Sequence, residues 1–201
     1  LALESEAALA LCMRMGRALD HAHDAQEDKF ARLVTAVGKY WICKRAPEMI
    51  YEASECMGGA GYVEETIMPS LYREAPVNSI WEGSGNVQCL DVLRAMSKEP
   101  GVLDALFAEL GDGHGDARLK AHIQRLKADF ADTADIQYRA RRLTEDMALA
   151  LQAKLLLEAG NATVSDAFIA SRLEGRGRVY GTLPRGVDVE ALLARSTPNL
   201  L

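Results

Sequence analysis

One carboxylate stands where it could do chemistry. Glu82 follows Trp81 and precedes Gly83-Ser84-Gly85-Asn86, a run of small residues that opens a helix. Ser84 reads as the N-cap, because its hydroxyl can accept from an orphan backbone N–H. Val87, Leu90, Leu93 and Met96 recur every third residue and predict one apolar face on that helix. Glu82 therefore sits just before a helix start, whose N–H groups favour an anion. It also sits beside an indole, and partial burial there would favour the neutral acid. A carboxylate in that tension is a candidate general base near neutral pH. The same residues also read as a capping-region acid beside a surface tryptophan, and spacing alone favours that reading.

A second constellation lies upstream, in Glu55-Cys56-Met57-Gly58-Gly59-Ala60-Gly61-Tyr62. Its glycines let backbone approach a ligand closely. No strand precedes them, so a dinucleotide-binding βαβ reading fails its own context. Taken alone they are a helix C-cap, at Gly58, and a tight turn.

Together the two stretches resemble a known family. Trp81-Glu82-Gly83-Ser84 is similar to the aromatic-Glu-Gly-Thr/Ser signature of acyl-CoA dehydrogenases, and Glu55 to Tyr62 resembles that family's Gly-Gly-x-Gly-Tyr element. They occur in family order and at family separation. The run from Leu71 to Asn86, continuing through Leu90-Asp91-Val92-Leu93-Arg94, resembles the AidB branch, flavoproteins implicated in the response to DNA alkylation.

The resemblance implies FAD as cofactor and an acyl-CoA thioester as substrate, with Glu82 as the base that removes the α-proton. It implies that Trp81 packs near flavin and thioester, and that Ser84 and Asn86 contact FAD. Ser84 and Asn86 stand where many relatives use Thr and Gln, and both keep hydrogen-bonding capacity. Glu55, Gly58 and Gly59 fall on the segment that meets the ADP half of FAD bound mainly by a neighbouring subunit. Glu55 stands where many relatives carry Gln, and a carboxylate there would repel a pyrophosphate. Relatives assemble as tetramers, so a cytoplasmic homo-oligomer is expected.

These groups need a scaffold, and the chain supplies helices. Nearly half of its 201 residues are hydrophobic, 49%, enough for one sizeable core. Strand alternation is almost absent, so the expected fold is all-α: a bundle resembling the acyl-CoA dehydrogenase C-terminal domain over 1–96, then a helical extension over 97–201. Leu3, Ala7, Leu11, Met15, Ala18 and Ala22 predict a first helix. Phe30, Leu33, Val34, Val37 and Trp41 predict a second, broken at Pro47, which lacks a donor and clashes with the preceding turn. A further helix is expected from Pro47, with Ile50, Ala53, Ser54 and Met57 inward. Glu64 to Leu71 reads as a short helix or turn bounded by Pro69, and Arg73 and Glu74 as structural pairs. Later seams run through Leu119, Ile123, Leu126 and Phe130, and through Ala140, Leu143, Met147, Leu151 and Leu155.

The first residue is Leu and helix begins at once, so the chain reads as the C-terminal piece of a longer flavoprotein. Such a piece is expected to bind FAD weakly and to show little activity by itself. Cys12, Cys43, Cys56 and Cys89 share no metal-ligand spacing and read as buried reduced thiols. No metal site and no membrane span are expected.

Formal net charge is −6, with most of the excess acid before Met96. That argues against non-specific nucleic-acid binding by the whole chain. The AidB resemblance nevertheless raises an alternative, a duplex-DNA-binding module with a vestigial dehydrogenase site. Its phosphate contacts would come from Arg118, Lys120, Arg125, Arg141, Arg142, Arg176 and Arg178. Asp129, Asp132 and Asp135 lie between these clusters, so the charge pattern by itself favours a solvated mixed-charge face. Arg139, Arg141 and Arg142 crowd a helix start, where cations oppose the macrodipole.

Overall fold

A computed structural model describes residues 1–175 and 179–198. Among them every regular element is helical: α1 Ala2–Asp20, α2 Ala25–Cys56, a 3-10 turn Gly58–Gly61, α3 Met68–Asn78, α4 Gly85–Lys98 and α5 Val102–Leu110, then α6 Ala117–Ala131, α7 Ile136–Glu158, α8 Ala162–Arg172 and α9 Val189–Ser196. The all-α expectation is met.

Two long helices organise the rest. The first half of α2 buries Phe30, Leu33, Val34, Val37, Tyr40 and Trp41. In α7, Leu143, Met147 and Leu151 are wholly inaccessible. α7 packs on α1, α2 and α4 as well as on α6 and α8, so one core runs from Leu3 to Leu192 across residue 96. A buried hydrogen bond ties the two layers: Trp41 Nε1 donates to Gln152 Oε1 at 2.9 Å.

Caps set the boundaries. Asp24 starts α2 by accepting from the Gln26 and Glu27 amides, and Asp116 does the same for α6 from Arg118 and Leu119. Asn161 and Asp188 each accept one amide at the starts of α8 and α9. The α2 C-cap is Met57, and Gly58 follows at φ +59, in the left-handed region that only glycine enters without strain.

Several sequence expectations are corrected. Pro47 does not break α2, which runs unbroken to Cys56. An interior proline costs on the order of 3 kcal/mol, and packing offsets it: the buried first half of α2 anchors the helix while α3 and the 3-10 turn lie against α2. Pro69 does not bound a turn but opens α3 from its first turn, where its missing donor is harmless. Arg73 does make a structural pair as expected, with Glu64, Nη1 to Oε1 at 2.8 Å. The cysteines are free thiols, but only Cys89 is buried; Cys12 and Cys56 are exposed. On α4 the inward face is Cys89, Val92 and Ala95, while Val87 and Leu90 point outward. Leu93 and Met96 are half-buried against the core. A spacing of three drifts around a helix, so the sequence ridge crosses from solvent to core along α4.

Candidate active site

Glu82 lies on a tight turn between two helices. α3 ends at Asn78, where the Ile80 and Trp81 amides both donate to the Val77 carbonyl. The chain then reverses through Glu82 at φ +51 and Gly83 at φ +106. Ser84 returns to extended backbone and α4 begins at Gly85. Gly83 is required by its φ, which disfavours any side chain, and a Cβ there would also displace the Gln88 amide, whose Nε2 lies 2.5 Å away.

The turn is clamped by residues that sequence inspection missed. Lys39 Nζ donates to the Trp81 carbonyl at 2.9 Å and to the Gly83 carbonyl. Gln88 Nε2 donates to the Glu82 carbonyl at 3.0 Å. Only polar type could have hinted at either, since both contacts are side chain to backbone and one spans more than forty residues.

Ser84 is the N-cap by backbone geometry, but its hydroxyl makes no capping bond, contrary to expectation. The first amides of α4 therefore keep their donor capacity. Asn86 is exposed one residue into the helix. Glu82 is itself exposed, and Trp81 is 57% exposed beside it. The expected partial burial against the indole is thus not supplied by this chain. Val77, Ile80, Trp81, Val87 and Leu90, which flank Glu82 along the chain, are likewise apolar side chains left exposed.

The glycine corner forms a separate feature. Gly61 turns back onto α2 so closely that a Cβ would meet the Ser54 carbonyl oxygen at 2.1 Å. An open cleft of ≈ 760 Å³ lies here, lined among others by Tyr51, Glu55, Gly58, Tyr62 and Tyr72. Gly58 and Gly59 are exposed. The negative charge of Glu55 pushes the Tyr51 phenol's pKa up.

As a test of fit for the implied FAD, the two features differ. The open amides of α4 with Ser84 and Asn86 offer donors suited to an oxygen-rich ligand. The corner offers backbone but lines its cleft with Glu55, Glu64 and Glu65, and its Arg73 is committed to Glu64. A pyrophosphate at the corner would need cations from another surface.

The arginines of the extension are largely engaged within the chain. Arg118 bonds Asp116 and Asp166 at 2.7 and 2.8 Å. Arg142 bonds Asp129 at 2.9 Å, and Arg125 bonds His122 Nδ1. Arg141 lies over the Tyr40 ring, 5.8 Å from its centroid. Arg139 donates to the carbonyls of Asp129, Asp132 and Ala134, so the cation that opposes the dipole of α7 satisfies the carbonyl end of α6. Lys120 is exposed. Arg176 and Arg178 lie outside the described residues. Among the described residues, no group of three His, Cys, Asp or Glu is arranged to hold a metal ion, and no helix is long and apolar enough to cross a membrane.

Comparison with known proteins places this geometry in a family. Residues 1–97 match the model of the acyl-CoA dehydrogenase C-terminal domain. The AidB protein of Escherichia coli (strain K12) is 39% identical over 180 residues, covering 89% of this chain and 33% of that protein. Acyl-CoA dehydrogenase family member 11 of Caenorhabditis elegans is 47% identical over 77 residues, 38% of this chain and 12% of that one. Among solved structures, Caenorhabditis elegans ACDH-11 superposes with a TM-score of 0.78 at 24% identity, over 98% of this chain and 39% of that one. The apo form of Bd2924 gives 0.70 at 27% identity, over 80% and 32%. The chain thus spans about a third of the length of the AidB protein. Residues 1–97 are an acyl-CoA dehydrogenase C-terminal domain.

Proposed function

We propose that this chain supplies the catalytic carboxylate, Glu82, and part of the flavin site to an FAD-dependent dehydrogenation of an acyl-CoA thioester. The observation that carries the reading is the turn itself. A glutamate at φ +51 is presented outward at the start of α4 by a clamped backbone. Strained non-glycine residues persist where the surroundings over-determine them, often at functional sites. FAD, when bound, accepts the hydride that leaves the β-carbon. Glu82 takes the α-proton, and the electron pair of that C–H bond becomes the new α,β double bond. Trp81 and the exposed apolar side chains of Val77, Ile80, Val87 and Leu90 would supply an apolar floor for the substrate. Ser84, Asn86 and the α4 amides would hold polar edges of the cofactor, and backbone at Gly58 and Gly59 would approach its other half.

A carboxylate needs a dry site to act as base near neutral pH. On this chain Glu82 is exposed, so a second surface must cover it. We assign that surface to the rest of the assembled flavoprotein, a cytoplasmic homo-oligomer with a tetramer as its expected form. An acyl-CoA, the ligand named for the ACDH-11 structure, is the substrate class this implies. The engagement of Arg118, Arg139 and Arg142 with aspartates favours this reading over duplex DNA, whose phosphates would have to displace them.

The test is turnover of acyl-CoA substrates by the native flavoprotein and its Glu82→Gln variant. Loss of the general base should lower kcat by roughly 10²–10⁴-fold, with bound flavin and helicity unchanged. Full activity in Glu82→Gln would refute the assignment.

A further inference from the structure

We infer that Lys39 is a positioning residue for Glu82: from α2, its ammonium holds the carbonyls on either side of Glu82 and thereby fixes where the carboxylate points. The inference deepens the reading of Glu82 as the base, but its structural half can be tested without that reading.

Three consecutive carbonyls, those of Trp81, Glu82 and Gly83, face side-chain donors. Lys39 takes the first and third, and Gln88 takes the second while sharing the third at 3.4 Å. No backbone N–H of the described residues closes the turn through these oxygens. The turn therefore lacks the main-chain hydrogen bond that would hold an ordinary reversal. Its left-handed pair, Glu82 and Gly83, is maintained from outside. Glu82 is the costly member, because a side chain at positive φ crowds its own backbone.

A lysine suits this task. Its ammonium carries three N–H donors and no acceptor, so it can bridge two converging carbonyls without a competing interaction. Bonds from a charged donor are also about twice as strong as neutral ones. Gln88 alone would leave the Trp81 carbonyl unbonded. The platform is rigid: Lys39 is half-buried between Gly38 and Tyr40, in the stretch of α2 that forms the centre of the core. Next to it, a Cβ on Gly85 would press on the Tyr40 ring at 3.4 Å, so the start of α4 also rests on this segment. Lys39 thus references the Glu82 turn to the buried stretch of α2. Displacement of a catalytic group by an ångström can cost a hundredfold in rate.

Amide hydrogen exchange reads the clamp directly. Lys39→Met is close in volume and keeps a good helix former. It should speed exchange over residues 80–88 by roughly tenfold to a hundredfold, with the buried half of α2 unchanged. Lys29→Met, an exposed position on the same helix, should leave that segment as in the parent. Gln88→Ala probes the same turn from its other donor. Because both donors share the Gly83 carbonyl, the double variant should depart from the product of the single effects. In turnover by the native flavoprotein, Lys39→Met should lower kcat roughly tenfold or more with KM within about twofold, and Lys39→Arg should recover part of it. Unchanged exchange over residues 80–88 in Lys39→Met overturns the inference. So does full kcat in Lys39→Met where Glu82→Gln has lost activity. If Glu82→Gln itself stays active, the base assignment fails, and the exchange result alone decides whether Lys39 holds the turn.

Discussion

Glu82 and Glu109 show how differently one residue type can be used. Glu82 is exposed on a turn, whereas Glu109 is half-buried among cations. Arg14 Nη2 lies 2.9 Å from Glu109 Oε2, and Lys154 Nζ lies 2.9 Å from Oε1. Burial by itself would raise the carboxyl's pKa; the hydrogen bonds from Arg14 and Lys154 outweigh it and bring it down to about 2. The folded protein therefore binds this proton less readily than the unfolded chain. The stabilisation is complete above the ordinary glutamate range and is lost as pH falls from 4.5 toward about 2. Its size is about 3 kcal/mol, given 1.36 kcal/mol per pKa unit. Urea unfolding of the parent and Glu109→Gln at stepped pH should show the stability difference shrinking across that window. A difference independent of pH would remove the ion cluster as its source.

Helices here end where glycines and borrowed donors let them. α2 stops at a left-handed Gly58, and the segment after it folds back until Gly61 touches Ser54. Gly61→Ala should push this corner off the end of α2, since a Cβ at 2.1 Å from a backbone oxygen cannot be accommodated by a rotamer change. The expected outcome is faster proteolytic cleavage between residues 57 and 67 with α1 and α7 intact. Cleavage at the parent rate would mean the corner tolerates a side chain. Arg139 illustrates the opposite resource: the α6 end has no glycine cap and takes its donors from the next helix.

At the scale of the molecule, the family domain and the extension share one interior. α7 packs on three helices of the first layer, and the indole of Trp41 finds its acceptor only on Gln152. The salt-bridged Glu4 likewise pairs with Arg45 at 2.6 Å and with Arg172 at 3.3 Å, joining α1, α2 and α8. A polypeptide of residues 1–98 should therefore retain helical circular dichroism but lose a cooperative thermal transition, because removing α7 exposes the buried faces of α1, α2 and α4 together. A sharp melt from that fragment would show that the first layer is self-sufficient.

The sequence determined the helical class, the inward faces of the first half of α2, of α6 and of α7, and the position of Glu82. Those features rest on local periodicity and on short motifs, which neighbours along the chain specify. Tertiary structure decided the rest. Pro47 stays inside a helix because packing outweighs a local penalty. The outward ridge of Val87 and Leu90 is set by which side of α4 meets α2 and α7. The arginines of the extension found aspartates and carbonyls brought close only by folding. Above all, the carbonyls flanking Glu82 are held by Lys39, a residue distant in the chain. No spacing rule links them, because a side chain bonded to a remote backbone carbonyl leaves no period in the sequence.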